Sequence, residues 1–127
     1  MNIESQPSWP PELDALNAAP QHHQLLFENE RVRVLDTCIP PGETTAVHTH
    51  QWPASLYVLS WSDFIRYDAA GNILLDSKNL PNTILPSTAL WSEPLGPHAL
   101  KNTGNSSLHI ICVEIKKGSF IKTENGY

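Results

Sequence analysis

Six histidines stand in this 127-residue chain, of which only 17% is charged. Their spacing is where chemistry could sit. His48-Thr49-His50 follows the turn Pro40-Pro41-Gly42. On an extended strand, residues i and i+2 project from one face with Cα atoms ~6.6–7 Å apart. Two imidazoles so placed can converge on one ion about 2.0–2.1 Å from each ring nitrogen. Taken alone, the pair reads more readily as strand histidines with ordinary hydrogen bonds. A metal needs at least a third ligand, and here it must come from a strand distant in sequence. His98 is the candidate: it follows the turn Glu93-Pro94-Leu95-Gly96-Pro97 and precedes Asn102 by four residues. His109 lies in the apolar run Ser107–Lys116 beside Ile111 and Val113, and reads as a core or supporting histidine. His22 and His23 read as surface residues of an N-terminal arm.

Those histidines need a scaffold, and composition narrows it. The length suits one compact domain with its own core. With 8 Lys+Arg against 13 Asp+Glu, the net charge is −5. The nearest approach to a basic stripe is Lys116-Lys117, which argues against a nucleic-acid partner. No apolar run approaches the ~20 residues of a membrane span. Residues 1–9 lack the basic start and apolar stretch of a secretory signal, so a cytoplasmic location is expected. Cys38 and Cys112 sit inside apolar runs and read as small buried residues rather than a disulfide framework.

The elements follow from turn residues and periodicity. Residues 1–23 are too sparse in apolar side chains to build a core and read as an arm, packed on the domain or on a partner. Within it, Pro10-Pro11 and the acids after them could open a short helix that Pro20 would stop. Residues 24–127 form the domain. Leu25-Leu26-Phe27, the polar Glu28-Asn29-Glu30 and the alternating Arg31–Ile39 predict a hairpin. Further strands are expected at Ala54–Trp61, Asp63–Tyr67, Ile73–Leu75, Thr83–Leu85, Ala89–Trp91 and His98–Lys101. Ser107–Lys116 is continuously apolar at its centre, as in a strand buried on both faces. Short strands broken by turns every 8–12 residues predict an all-β sandwich or barrel.

On that background, Gly42-x5-His48-x-His50 resembles the opening of the first cupin motif, G-x5-H-x-H-x3,4-E-x6-G. Pro94-x-Gly96-x-His98-x3-Asn102 resembles the second, G-x5-P-x-G-x2-H-x3-N, with one residue fewer between Gly and His. The resemblance spans roughly residues 25–117 and implies a double-stranded β-helix (jelly-roll barrel) preceded by the short arm. It also implies a metal held by His48, His50 and His98. Two positions depart from the pattern. The family's glutamate would fall at Ala54 or Ser55, and its closing glycine at Trp61 or Ser62. Without the glutamate, three neutral imidazoles leave a divalent ion its full charge and three open positions, which favours anionic ligands such as enolates, thiolates or carboxylates.

Cupins with three-histidine sites include thiol dioxygenases and a β-diketone-cleaving dioxygenase. The resemblance therefore implies Fe(II) and an oxygen-dependent reaction on a small anionic or enolisable metabolite. Imidazole also suits Zn, Ni, Cu and Co, and Mn is a further possibility. The alternatives are a small-ligand-binding or regulatory cupin and a non-oxidative isomerase. Catalytic residues beyond the ligands are not assigned. Glu93 could supply the absent carboxylate but reads as a surface glutamate. Glu114 reads as the partner of a Lys or Arg at a barrel edge, and Gln51 as a rim residue. Among Trp52, Trp61, Trp91, Tyr57 and Phe64, most should pack the core and one or two should line the pocket. Arg66 and Tyr67 are possible substrate anchors by position alone. A homodimer is expected, with Trp9, Leu13 and Leu16 of the arm covering an edge strand.

Overall fold

A computed structural model describes residues 8–116, so residues 1–7 of the predicted arm and 117–127 of the predicted domain lie outside the described part. Nine strands form two antiparallel sheets: β1 (His23–Glu28), β2 (Val32–Ile39), β3 (His48–His50), β4 (Ala54–Ser60), β5 (Phe64–Asp68), β6 (Ile73–Asp76), β7 (Ala89–Ser92), β8 (Leu95–Asn102) and β9 (Leu108–Ile115). One sheet runs β1-β2-β9-β4-β7 and the other β3-β8-β5-β6. The all-β expectation holds, with two differences. Thr83–Leu85 is loop rather than strand, because Pro81 and Pro86 flank it and lack the N–H a ladder requires. β9 buries one face only, with Leu108, Ile110, Cys112 and Glu114 buried and the residues between them half-buried. It is enclosed edge to edge by β2 and β4, but only one face meets the barrel interior.

Alternation in β2 and β9 sorts the interior into two ends. Facing pairs along the ladder are Arg33 with Glu114, Leu35 with Cys112, Thr37 with Ile110 and Ile39 with Leu108. The apolar members of the last three pairs join Phe64 and Ala15 in the core, while the first pair opens a polar end. β3 enters that polar end after a turn in which Gly42 takes φ +83°, a conformation that glycine adopts without strain.

The arm belongs to this barrel. A 3-10 turn at Pro11–Leu13 leads into α1 (Ala15–Ala18), whose first turn is capped by Asp14 accepting from the Leu16 N–H at 3.1 Å. Ala15 and Ala19 are fully buried. Trp9 lies flat enough on β8 that a Cβ at Gly96 would stand 3.3 Å from its ring. Leu25, Leu26 and Phe27 of the outer strand β1 remain exposed. No described helix is long and apolar enough to cross a membrane.

At the apolar end, Asn102 closes the barrel. It is fully buried, and its amide donates to the Ile39 and Ser106 carbonyls at 2.8 Å each. Its Oδ1 accepts from Ser62 Oγ at 2.7 Å and from the Gly104 N–H at 2.9 Å. Truncation would strand several buried polar groups at once. Asn102→Ala should therefore cost roughly 2–4 kcal/mol and lower Tm by roughly 10 °C, as read by calorimetry.

Candidate metal centre

Four histidines meet at the polar end. His48 lies directly across the ladder from His98, and a register shift before His50 turns both side chains of β3 toward one point. The ring centroids of His48 and His98 are 4.4 Å apart, those of His48 and His50 4.9 Å, and those of His50 and His98 5.6 Å. The fourth ring belongs to His23. It stands 4.6 Å from His48 and 5.3 Å from His50. Nitrogens of His23, His48 and His50 come within 4.8 Å of one another, close enough to share an ion. The tightest group is thus His23–His48–His50, with His98 packed against its His48 side.

Each ring has its Nδ1 engaged by an acceptor. His23 faces the Ala19 carbonyl at 3.0 Å, His48 the Ala46 carbonyl at 2.8 Å, and His98 the Gly96 carbonyl at 2.7 Å. His50 faces Glu114 Oε2 at 3.1 Å. An acceptor on Nδ1 places the proton there and leaves the Nε2 lone pair of each ring for another partner. Burial, reinforced by the neighbouring imidazoles, pushes the pKa values of His23 and His48 down to about 3; burial is likewise the main cause that lowers His98 to about 4. Those three rings are neutral at physiological pH, the form in which imidazole binds a metal. The donor set therefore suits a divalent cation: several neutral nitrogens, oriented from behind.

The orienting group at His50 is itself held. Glu114 is 0% exposed. Its Oε1 accepts from Arg33 Nε at 2.7 Å, and Arg33 donates from both terminal nitrogens to Asp14 at 2.8 and 2.9 Å. Burial pushes the Asp14 carboxyl up, but hydrogen bonds and charge from Arg33 outweigh it and hold the group below its ordinary value. The Arg33 guanidinium also lies over the Trp52 ring, 5.0 Å from its centroid. Glu114 faces Ala54 across the β4–β9 ladder. Ala54 is one of the two positions where the first motif would carry its glutamate. The barrel thus has an acid at this height, one strand over, and the small side chain at 54 leaves room for it.

A cavity of about 500 Å³ opens from this end into the barrel. His50, His98 and Glu114 form part of its wall, and Leu56, Trp61, Phe64, Leu90, Trp91 and Leu100 supply much of the rest. Small-molecule sites commonly have this size and this mostly apolar lining with a few placed polar groups.

Several expectations need correction. His23 is a buried member of the cluster at 5% exposure rather than a surface residue. The signal lay in register: it pairs with Thr37, an inward position of the alternating strand β2. His22 is also tucked in, hydrogen-bonded through Nε2 to Glu43 at 2.8 Å. His109 is neither core nor support for the site. It points outward at 33% side-chain exposure and pairs with Asp36, because the buried residues of β9 are the even-numbered ones. Glu114 does pair with an arginine, but in the interior rather than at an edge. Glu93 is exposed as expected and accepts from Trp91 Nε1 at 2.7 Å. Cys112 is buried, its thiol pushed up to about 12 by desolvation, so it is no nucleophile; Cys38 is half-buried.

No family model and no curated protein matches the sequence. Solved structures match the fold. A cupin domain from Bordetella pertussis Tohama I is 18% identical over 74% of this chain and 91% of its own, with a TM-score of 0.58. An RmlC-like cupin family protein with a double-stranded β-helix fold from Methanocaldococcus jannaschii is 12% identical over 73% and 77%, with a TM-score of 0.51. A conserved protein with a double-stranded β-helix domain from Klebsiella pneumoniae is 15% identical over 76% and 72%, with a TM-score of 0.50. At such identities the likeness speaks for the fold alone. With two antiparallel sheets closed around an interior that carries histidines at one end, the chain has the cupin fold, a double-stranded β-helix.

Proposed function

We propose that His48, His50, His98 and His23 hold a divalent ion, Fe(II) in the working protein, and that the protein is a metal-dependent enzyme. Its reaction would be the oxygen-dependent oxidation or cleavage of a small anionic or enolisable metabolite. The observation that carries this reading is the clustering of four rings, each with Nδ1 engaged and Nε2 left over, of which His50 and His98 line an apolar cavity. Among the described residues the acid at the cluster is not free to join them, since Glu114 is committed to Arg33 and His50. With His23 as a fourth ligand, an octahedral ion keeps two open positions rather than the three expected from a three-histidine set. Such an ion, when bound, supplies Lewis acidity and, as Fe(II), a means of activating dioxygen. The chain's own groups supply the rest. Glu114 fixes the tautomer and tilt of His50, the backbone carbonyls do the same for the other three rings, and the apolar walls limit water.

Untagged protein loaded with iron and analysed by mass spectrometry should carry about one ion per chain, and His48→Ala should carry almost none; less than ~0.2 ion per wild-type chain would sink the reading. Removing the carboxylate behind His50 should act more gently. Glu114→Gln is expected to weaken metal affinity by ~10–100-fold, measured by competition with a chelator. Oxygen consumption by the iron-loaded protein, assayed with thiols, β-diketones and 2-oxo acids, should appear with at least one class. Absence of uptake with every class would move the assignment to ligand binding or a non-oxidative reaction.

A further inference from the structure

Two arginines reach the barrel interior, and they are treated differently. Arg33 is matched by two carboxylates. Arg66, on β5, pairs with none of the described carboxylates, and its Nε is buried without any hydrogen-bond partner. Its rung neighbours are Leu75 and Leu100, and its guanidinium lies 6.0 Å from the Phe64 ring centroid. It lines the same cavity as His98, which sits two residues along β8 from Leu100. The acids nearby are occupied: Glu114 by Arg33 and His50, Glu93 by Trp91, and Asp68 by the turn at 70–72. Desolvation without a compensating charge pushes the guanidinium pKa down. Arginine nevertheless stays protonated in proteins, so a fixed positive charge faces an apolar cavity with no resident counter-ion.

We propose that Arg66 is the anion clamp of this cavity and that the ligand is an amphipathic carboxylate. Its carboxylate takes the guanidinium, its aromatic or branched apolar body lies against Trp61, Phe64 and Leu100, and its remaining donor atoms reach toward the histidines. A planar guanidinium can grip both carboxylate oxygens at once, and the apolar wall strengthens the pair by excluding water. This deepens the metal-enzyme reading and rests on it for the end of the ligand that meets the histidines; the clamp itself needs no metal. It narrows the substrate class from small anions in general to carboxylates with an aromatic or branched apolar body, 2-oxo acids of that shape included.

The test uses the full-length chain stripped of metal with a chelator and dialysed. Phenylacetate, 1-naphthoate and phenylpyruvate are titrated against their primary amides, with quenching of tryptophan fluorescence as the readout, since Trp61 and Trp91 line the cavity. Each carboxylate should bind at least ~10-fold more tightly than its amide, the loss expected for removing a charged hydrogen bond. Arg66→Met should erase that preference while leaving amide binding and iron content unchanged, and Arg66→Lys should keep part of it. Equal binding of acids and amides to the wild type overturns the proposal without any variant. So does a carboxylate preference that survives in a folded Arg66→Met protein. Should that variant fail to fold, the acid-to-amide ratio in the wild type and in Arg66→Lys decides. A preference that depends on Arg66 in a protein that takes up no iron would support the clamp and overturn the metal centre instead.

Discussion

One buried carboxylate ties together the strands and the arm at the polar end of this barrel. Glu114 has two oxygens and uses both: one holds Arg33, the other holds His50. Through Arg33 it also holds Asp14, and Asp14 caps α1 and bridges to Thr49 of β3. One side chain therefore couples β2, β9, the arm and the histidine-bearing strand. Leaving Arg33 or Asp14 unpaired in this setting would cost several kcal/mol, since breaking a buried pair strands a charge away from water. The ion triad is therefore better understood as a positioning device than as a source of stability. It makes one arrangement of His50 much cheaper than its alternatives.

The remaining three rings are positioned by backbone. Carbonyls at 19, 46 and 96 each face an Nδ1, and in two cases the carbonyl lies two residues before the histidine it orients. Such local contacts cost little chain entropy and survive side-chain substitution nearby. His23 is different. Its carbonyl partner, Ala19, ends the short helix of the arm, so the arm sets the geometry of a candidate ligand. That explains why Ala15 and Ala19 are fully buried: alanine lets the helix approach β3 closely enough to seat His23 among the other rings.

Much of this was legible in the sequence, and the reasons differ by element. Period-two alternation in Arg33–Ile39 gives both strand and inward face, because a one-residue slip would expose the core. His48, His50 and His98 were visible because turns precede both segments and because their spacing matches known motifs. His23 was not, since a histidine at the end of a polar arm carries no local periodicity; only its pairing with Thr37 turns it inward. Glu114 has the basic partner expected of it, but its interior placement was hidden for a related reason. A lone acid in an apolar strand has no local signal for its partner, and Arg33 lies far away in sequence, joined to it only by the β2–β9 register. Long-range pairing, rather than propensity, is what single-sequence reasoning lacks here.

The position of the acid also changes what the site prefers. A glutamate at 54 could contribute its charge directly to a bound cation, whereas Glu114 spends its charge on Arg33 and lends His50 only a hydrogen bond. Asp14, Glu114 and Arg33 together carry one net negative charge, and Arg66 restores a positive one within the same cavity wall. These four side chains are thus formally neutral together, and a divalent cation bound beside them would leave an excess of two positive charges. In an apolar cavity, where charge is weakly screened, such an excess must be met by the ligand. A carboxylate with a second anionic or enolisable donor meets it in both places, at the guanidinium and at the histidines. A neutral molecule of the same shape meets it in neither. Placing the acid on β9 rather than at 54 leaves that net charge unchanged but keeps the carboxylate off a bound cation, so the ligand is the group that would meet such a cation directly.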